Sequence, residues 1–319
     1  MCGNMEDAGM SMLCSELNRR FGAPGRIVFR QSPSGAPVVA LANQYGSAEV
    51  DLYGGRILSY RPTGHAPVFF MPADCVPQGE KWNHGGMPIC WPWFGKNGPE
   101  GSAGHGFARY QIFEVRGSEY SEEESCVTLG IRATDDTRRL WPHEFDLELK
   151  VSVSMKLNVG LKTTNLDSAP FEITEGFHPY FLVRERDGAT VRGIDGCEFC
   201  DARETRVADR TWAGDLAVNT EYDHVFVLGG DGQHEHVLLD PGLSRAIAMV
   251  SKGNTKLVVW NPGAVDCGGN MAPDDWRKFV CVEPATLFKE DSTTKIAPGE
   301  SHSLLVAIQS VADGRGSGR

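Results

Sequence analysis

The most regular pattern of hydrophobic and polar positions lies between Asp146 and Asn165. Every second position in this stretch is apolar: Leu147, Leu149, Val151, Val153, Met155, Leu157, Val159 and Leu161. A period of two gives a strand one buried face and one wet face, whereas a helix repeats every 3.6 residues. The stretch therefore predicts one long strand, or two strands joined by a bend, in an antiparallel sheet packed on one face.

Shorter runs of the same kind are spread along the chain, and Gly, Pro, Asn and Asp clusters separate them. They lie at Pro37–Ala42, Cys126–Ala133, Lys256–Trp260, Lys278–Glu283 and Ser303–Ile308. Strands do not alternate with helices, which disfavours a parallel βαβ architecture. We predict an all-β protein, built as a large antiparallel β-sandwich with few short helices.

The best helical pattern is Met10–Phe21, where Met12, Leu13, Leu17 and Phe21 could form one apolar stripe. We expect residues 1–21 to contain a short helix that docks on the body of the protein. The tail, residues 312–319, is small, polar and glycine-rich, and we expect it to be frayed. No internal repeat or long linker is visible, so residues 1–319 are interpreted as one domain.

Composition narrows the classes of partner and compartment. The 319 residues carry a net charge of −11, which argues against nucleic acid or an anionic membrane as partner. Nine cysteines, an odd and unpatterned number, indicate reduced thiols; Cys197 and Cys200 form a CxxC without a second pair. The N-terminus lacks the pattern of a signal peptide, and no apolar run reaches the roughly 20 residues of a membrane span. We therefore expect a cytoplasmic protein.

Common catalytic motifs are missing: there is no GxGxxG opening a helix, no GxxxxGK[ST], no GxSxG and no HExxH. His234 and His236 form an HxH with Asp240 four residues further on. Alternate strand residues share a face, so the two histidines could grip a metal. The surrounding sequence is more typical of an exposed polar turn that leads into a strand.

The segment His84–Gly95 combines glycines, prolines and aromatic residues, including Trp91 and Trp93, in a pattern too irregular for a core strand. Aromatic faces stack on the C–H faces of sugars, while hydroxyl groups take directed hydrogen bonds. The segment is either a wall of a sugar-binding groove or a packed corner of the sandwich.

Further segments along the chain carry groups capable of acid–base chemistry or binding. Gly104–Arg109 contains His105 and Arg109, Thr174–Phe181 contains His178, Tyr222–Phe226 contains Asp223, and Phe279–Pro284 contains Glu283. Taken singly, a histidine or a strand-end glutamate is more often structural or solvated than catalytic.

In this order, the segments resemble those of the hexose-6-phosphate mutarotases (glucose-6-phosphate 1-epimerases), within the aldose 1-epimerase, or galactose mutarotase-like, superfamily. The resemblance covers roughly Val38 to Val306 and implies a large antiparallel β-sandwich. It implies that His178 and Glu283 are catalytic and that Asp223 binds substrate. Arg109 matches the last residue of the family's Gln-His-Gly-x-Ala-Arg motif. The chain departs from the family pattern at His84, where the family usually has an arginine of the phosphate site, and at Gly104, usually glutamine.

The implied reaction interconverts α and β anomers without a cofactor or a metal. A base removes the O1 proton while an acid protonates the ring oxygen O5, and the groups reverse their roles to close the ring. We expect Glu283 to be the base and His178 the acid, with His105, Asp223, Trp91 and Trp93 positioning the sugar. The expected phosphate anchor is Arg109, and the candidate helpers are Lys96, His84 and Arg56.

The expected partner is a small sugar phosphate, with glucose 6-phosphate first, and the expected assembly is a monomer. Two alternatives remain open at this point. The chain could be an aldose 1-epimerase acting on unphosphorylated or modified sugars, as the changes at His84 and Gly104 allow. It could also be a non-catalytic carbohydrate-binding module, although a binder has no need of a matched acid and base.

Overall fold

The computed structural model describes residues 3–32, 35–73, 84–230, 232–265, 270–287 and 294–312. The predicted frayed tail falls outside them apart from its first residue, which ends the last strand. In chain order, the first strands are β1 (Ile27–Gln31), β2 (Pro37–Asn43), β3 (Gly46–Asp51), β4 (Ile57–Pro62), β5 (Ile89–Cys90), β6 (Glu114–Tyr120), β7 (Ser125–Arg132), β8 (Phe145–Val153), β9 (Leu157–Asn165), β10 (Phe171–Ile173), β11 (Gly176–Phe177) and β12 (Tyr180–Leu182). The remaining strands are β13 (Thr190–Arg192), β14 (Glu198–Asp201), β15 (Arg210–Thr211), β16 (Leu216–Ala217), β17 (Tyr222–Val227), β18 (Gln233–Asp240), β19 (Arg245–Lys252), β20 (Lys256–Asn261), β21 (Phe279–Ala285), β22 (Thr294–Ile296) and β23 (Ser301–Ala312).

These strands form antiparallel sheets, as the sequence pattern predicted. The largest sheet has nine strands in the order β16-β13-β18-β19-β23-β9-β8-β7-β6. A second sheet follows the order β15-β14-β17-β20-β21-β11-β5, with β12 also paired to β21. Strands β1 to β4 form a sheet in sequence order, and β10 pairs with β22.

The stretch with the strongest alternation forms the hairpin β8–β9, so the prediction of two strands joined by a bend is confirmed. Val153 lies opposite Leu157 at its closed end, and Phe145 lies opposite Asn165 at its open end. The alternating apolar side chains are at most 2% exposed, except Met155, which lies in the turn and is 63% exposed. Period-two burial therefore holds along both strands and is broken only where the chain reverses.

The two large sheets share one hydrophobic core, which makes the architecture a β-sandwich. Buried residues of the nine-stranded sheet, such as Leu149 and Ile308, belong to the same cluster as Phe177, Val280 and Val282 of the other large sheet. Packing the two inner faces together removes this apolar surface from water, the main favourable contribution to folding. The site described below lies on the other face of the second sheet, where β21 carries Glu283.

Helices are few. Helix α1 (Gly3–Phe21) precedes β1, α2 (Asp135–Leu140) follows β7, and 3-10 helices span Ala108–Tyr110, Arg186–Gly188, Pro241–Leu243 and Asp275–Lys278. The N-terminal helix is confirmed, but its predicted apolar stripe is partly wrong. Met12 and Leu13 are 74% and 41% exposed, while Cys14 and Leu17 are buried. Cys14 and Leu17 lie three positions apart on one helix face, and Met12 and Leu13 are turned away from it.

The described cysteines Cys14, Cys90, Cys126, Cys197, Cys200 and Cys281 are free thiols. The CxxC pair, Cys197 and Cys200, is not joined by a disulfide. Within the described ranges, no helix is long and apolar enough to cross a membrane.

Candidate active site

An open groove of about 540 Å³ crosses the outer face of the sheet that contains β21. This volume lies within the range of roughly 300–1,000 Å³ that is usual for small-molecule sites. The side chains that line it come from β12, β17, β20 and β21, from the segments on either side of β5, and from the segments that follow β11, β14 and β21. They are His84, Phe94, Lys96, Asn97, His105, His178, Tyr180, Ala202, Arg206, Asp223, Val225, Val258, Trp260, Glu283 and Leu287, with the backbone of Gly95.

His178 and Glu283 meet in this groove, with His178 Nε2 3.4 Å from Glu283 Oε1. The register of the sheet brings them together. Gly176 on β11 lies opposite Ala285 on the antiparallel strand β21, so the residue two positions after Gly176 reaches the residue two positions before Ala285. Both side chains are largely withdrawn from solvent, at 7% and 1% exposure. Glu283 Oε2 is buried and has no hydrogen-bond partner among the described residues, which leaves it able to accept or donate a bond to a ligand.

Burial governs the protonation of this pair. It raises the pKa of Glu283 well above its ordinary value, and the nearby carboxylate of Asp223 adds to the rise. Burial also lowers the pKa of His178 well below its ordinary value, and the neighbouring His105 ring and the positive charge of Arg109 act in the same direction. Both effects favour a neutral imidazole beside a protonated carboxyl group. The pair then holds one proton, which is what a matched acid and base require.

His105 has a strained backbone and a defined tautomer. Its φ of 63° lies in the left-handed region, a backbone conformation that costs a non-glycine residue about 1–3 kcal/mol. Residues with such strained backbones cluster at functional sites. Its Nδ1 lies 3.1 Å from Cys90 Sγ and accepts the backbone N–H of Gly95 at 3.3 Å. Burial lowers the pKa of His105 to about 3, so the neutral ring carries its hydrogen on Nε2. The next residue must be glycine, because a Cβ on Gly106 would lie 1.9 Å from the oxygen of Trp91.

His84 also lines the groove, but it carries no positive charge at neutral pH. Its backbone N–H donates to Asn270 Oδ1 at 2.9 Å, and its Nδ1 lies 3.2 Å from the same oxygen. A carboxamide oxygen only accepts hydrogen bonds, so Nδ1 carries the hydrogen and Nε2 is the acceptor nitrogen. Burial lowers the pKa of His84 to about 4, and the positive charges of Arg109 and Arg56 act in the same direction. His84 thus meets a ligand as a neutral ring, and its role as a helper of the phosphate site stays a prediction.

The two arginines named from the sequence do not line the groove. Arg56 is buried, and its Nη1 approaches the backbone oxygen of His84 at 3.5 Å, so it lies beneath the His84 segment. Arg109 lies on the 3-10 helix Ala108–Tyr110 and is half-buried. Its charge nevertheless lowers the pKa of His105 and His178, which places it within electrostatic range of the groove.

The predicted aromatic wall is wrong in its residues. Trp91 is 0% exposed, donates from Nε1 to Thr163 Oγ1 at 2.9 Å and packs on Phe145 of the other large sheet. Trp93 is also buried, and its Nε1 donates to the oxygen of Ala103. Both tryptophans belong to the core, which is the packed-corner interpretation of this segment.

Three other aromatic residues, Phe94, Tyr180 and Trp260, line the groove instead of Trp91 and Trp93. Tyr180 stacks on the His178 ring at 4.9 Å with an interplanar angle of 13°, and Trp260 meets the same ring edge-on at 5.7 Å. Phe94 lies edge-on to His105 at 4.9 Å. Tyr180 and Trp260 lie in segments that the sequence singled out, but their orientation depends on strand register, which the sequence did not reveal.

Polar residues complete the two sides of the groove. Asp223 on β17 lies opposite Trp260 in the sheet, and burial raises its pKa. Lys96 lines the groove as predicted. Arg206, which the sequence did not single out, lines it as well, and its Nη1 donates to Asn97 Oδ1 at 3.0 Å. Arg206 sits in a polar turn without a recognisable motif, so no sequence signal pointed to it.

Among the described residues, one cluster could hold a metal ion, namely His178, Cys281 and Glu283, whose ligand atoms lie within 4.8 Å of one another. In a tetrahedral zinc site the ligand atoms lie about 3–4 Å apart, a range that includes the 3.4 Å between His178 Nε2 and Glu283 Oε1. We assign no metal to this cluster, since the proximity of three such side chains does not by itself define a metal site. In the same described residues, His234 and His236 on β18 gather no third ligand.

The class defined by this sandwich and groove is confirmed by comparison with known proteins. A family model described as aldose 1-epimerase matches residues 37–309. The chain belongs to the aldose 1-epimerase family, and it is an isomerase of the mutarotase type.

Individual relatives agree with this assignment. An Escherichia coli protein, provisionally named glucose-6-phosphate 1-epimerase, is 29% identical over 267 residues, which cover 82% of this chain and 87% of that protein. A Cenchrus ciliaris protein with the same provisional name is 25% identical over 301 residues, covering 91% and 89%. A crystal structure of a Salmonella typhimurium protein, provisionally called a mutarotase, shares the fold with a TM-score of 0.81 at 24% identity, covering 92% of this chain and 96% of that one.

Proposed function

We propose that this chain interconverts the α and β anomers of a hexose 6-phosphate, with glucose 6-phosphate as the first substrate to test. The observation that carries the proposal is the buried contact of 3.4 Å between His178 and Glu283 in an open groove. The names of the relatives from Escherichia coli and Cenchrus ciliaris support the choice of substrate. We propose a monomer in the cytoplasm, and the six free thiols among the described residues support a reducing compartment.

The proposed chemistry needs one proton donor and one acceptor at the anomeric centre. Glu283 removes the proton from O1 while His178 protonates O5, and the C1–O5 bond opens to give the free aldehyde. Rotation about C1–C2 presents the other face of the carbonyl group. The two side chains then reverse their roles and close the ring as the other anomer.

Substrate binding changes which member of the pair, His178 or Glu283, carries the proton in this proposal. In the empty groove, burial favours the neutral state, with the shared proton on Glu283. A sugar hydroxyl that donates to the Glu283 carboxylate stabilises its charged form. We expect the proton to pass to His178 across the 3.4 Å contact when the sugar binds, which gives the acid and the base that ring opening requires.

The remaining groove residues position the sugar in this proposal. The Nε2–H of His105 is a fixed donor for a sugar oxygen, and the carboxylate of Asp223 accepts from hydroxyl groups. Trp260 and Tyr180 replace Trp91 and Trp93 as the apolar faces on which the ring packs.

The test follows α-to-β conversion by polarimetry, or by exchange between the anomeric signals in NMR, with glucose 6-phosphate and glucose in parallel. The proposal expects rapid exchange of glucose 6-phosphate, with a kcat/KM well above that for glucose. Binding of both sugars without any acceleration of exchange would show a carbohydrate-binding module instead.

One observation favours a second candidate, an aldose 1-epimerase that acts on unphosphorylated sugars. His84 is uncharged where the family usually has arginine, so a charge that could attract phosphate is lost. Equal kcat/KM values for glucose and glucose 6-phosphate would favour this second candidate.

The activity should depend on pH as a bell-shaped curve, because the active pair holds one proton. The depressed pKa of His178 places the acidic limb below the ordinary histidine value of about 6.5, where the pair gains a second proton. The raised pKa of Glu283 places the basic limb well above the ordinary glutamate value, where the pair loses its proton. We expect kcat/KM to be flat across neutral pH, as measured by polarimetry.

Glucose serves as the non-titrating control substrate, since a sugar phosphate has its own second pKa of about 6. A profile on glucose that rises through pH 6.5, like that of a solvent-exposed histidine, would contradict the assigned pair.

A further inference from the structure

The groove carries positive charge on one side. Among the residues that the structure describes, Lys96 and Arg206 are the cationic side chains in its lining at neutral pH. Lys96 lies in the segment after β5, and Arg206 lies in the turn after β14. In a chain with a net charge of −11, two cations that face one groove are a local exception.

The two cations are brought together across the sheet. Strands β5 and β14 are separated by β11, β21, β20 and β17, and neighbouring strands lie about 4.8 Å apart. Their following segments nevertheless meet, because Arg206 Nη1 donates to Asn97 Oδ1 at 3.0 Å. Lys96 and Arg206 therefore stand on one rim, next to the apolar cluster of Phe94, Val225 and Leu287.

Of the residues that the sequence suggested for anion binding, Lys96 lies on this rim, whereas His84, Arg56 and Arg109 do not. His84 is neutral, with Nδ1 engaged by Asn270 and an acceptor nitrogen at Nε2, which repels an anion. Arg56 is buried under the His84 segment. Arg109 acts on the groove through its charge but is not part of the lining.

The chemistry of the rim suits a phosphate group. A guanidinium presents a planar fork of donors to phosphate oxygens, and a lysine adds a compact point charge. A phosphate group held by this rim need not contact Glu283, whose charged form would repel it.

We propose that Lys96 and Arg206 bind the phosphate group of the substrate, so that this rim sets the preference for a phosphorylated hexose. The inference rests on the proposed function, since it assigns a phosphate site to the same groove. It makes Arg206 a specificity-determining residue of the mutarotase reaction.

The experiment measures anomer exchange of glucose 6-phosphate and glucose for Lys96→Gln, Arg206→Gln and the double variant. Arg210→Gln is the matched control, because Arg210 lies on the following strand, contacts Glu204 and Phe199, and does not line the groove. We expect each single change to raise KM for glucose 6-phosphate by about tenfold, a typical cost of a lost charge-assisted hydrogen bond. We expect the change for glucose, which carries no phosphate, to be much smaller than the change for glucose 6-phosphate, and inorganic phosphate to inhibit both variants less than the wild type.

The outcomes separate the two proposals. If the wild type exchanges glucose 6-phosphate, and Arg109→Gln raises KM while both rim variants match the control, the rim assignment is overturned and the mutarotase proposal stands. If the rim variants slow glucose as much as glucose 6-phosphate, the Arg206–Asn97 bond merely holds the loops and the rim assignment is again overturned. If the wild type accelerates neither sugar, the proposed function itself fails.

Discussion

Replacing Glu283 by Gln is expected to lower kcat for anomer exchange of glucose 6-phosphate by about 10²–10⁴-fold, the usual contribution of general acid–base catalysis. The amide keeps the size of the carboxyl group and its ability to hydrogen-bond, but it cannot accept the O1 proton. We expect KM to change little, because the groove keeps its shape. Polarimetry with the purified variant measures both parameters, and Glu235→Gln, an exposed glutamate on β18, is the matched control.

Stability separates a catalytic loss from a folding defect in this variant. Glu283 has a raised pKa in the folded state, so its contribution to the free energy of unfolding is fully present below the ordinary pKa and is lost as pH rises through the folded value. Gln cannot ionise and escapes this loss. The difference in Tm, variant minus wild type at the same pH, should therefore be larger at pH 8 than at pH 4. A variant that is both active and less stable at pH 8 would contradict the assignment of Glu283 as a buried base.

Replacing His178 by Ala is expected to lower kcat by a similar factor, about 10²–10⁴-fold, because the variant loses the proton donor that contacts Glu283. The variant leaves a space beside Tyr180 and Trp260 that has the size of the lost ring. Added imidazole should restore part of the activity by occupying this space, which a purely structural defect would not allow.

A matched histidine outside the groove controls for this change. His234 lies on β18, is half-buried and does not line the groove, so His234→Gln should leave kcat and KM unaltered. Near-normal activity of His178→Ala would remove His178 from the mechanism.

The sequence predicted the fold well where burial alone decides the pattern. The alternation from Asp146 to Asn165 became the hairpin β8–β9, because each apolar position faces one hydrophobic core. It also named His178 and Glu283, and the structure brings them within 3.4 Å. The sequence could not supply the reason, which is the pairing of Gly176 with Ala285 across two strands that are distant in the chain.

The predictions that were wrong concern which way a side chain faces. Trp91 and Trp93 were expected in the groove, yet both indole N–H groups find partners inside the core, which makes their burial favourable. The charge of His84 depends on burial and on Asn270, which is 186 positions away in the chain. Arg206 reaches the groove because the turns after β5 and β14 meet, and long-range contacts of this kind leave no local pattern.

The central claim, that His178 and Glu283 act together on one sugar carbon, is tested most directly by the double variant His178→Ala/Glu283→Gln. Groups that act as one unit give non-additive losses. The account predicts that anomer exchange of glucose 6-phosphate in the double variant is no slower than in the slower single variant. Losses that multiply, or single variants that keep wild-type exchange rates, would contradict it.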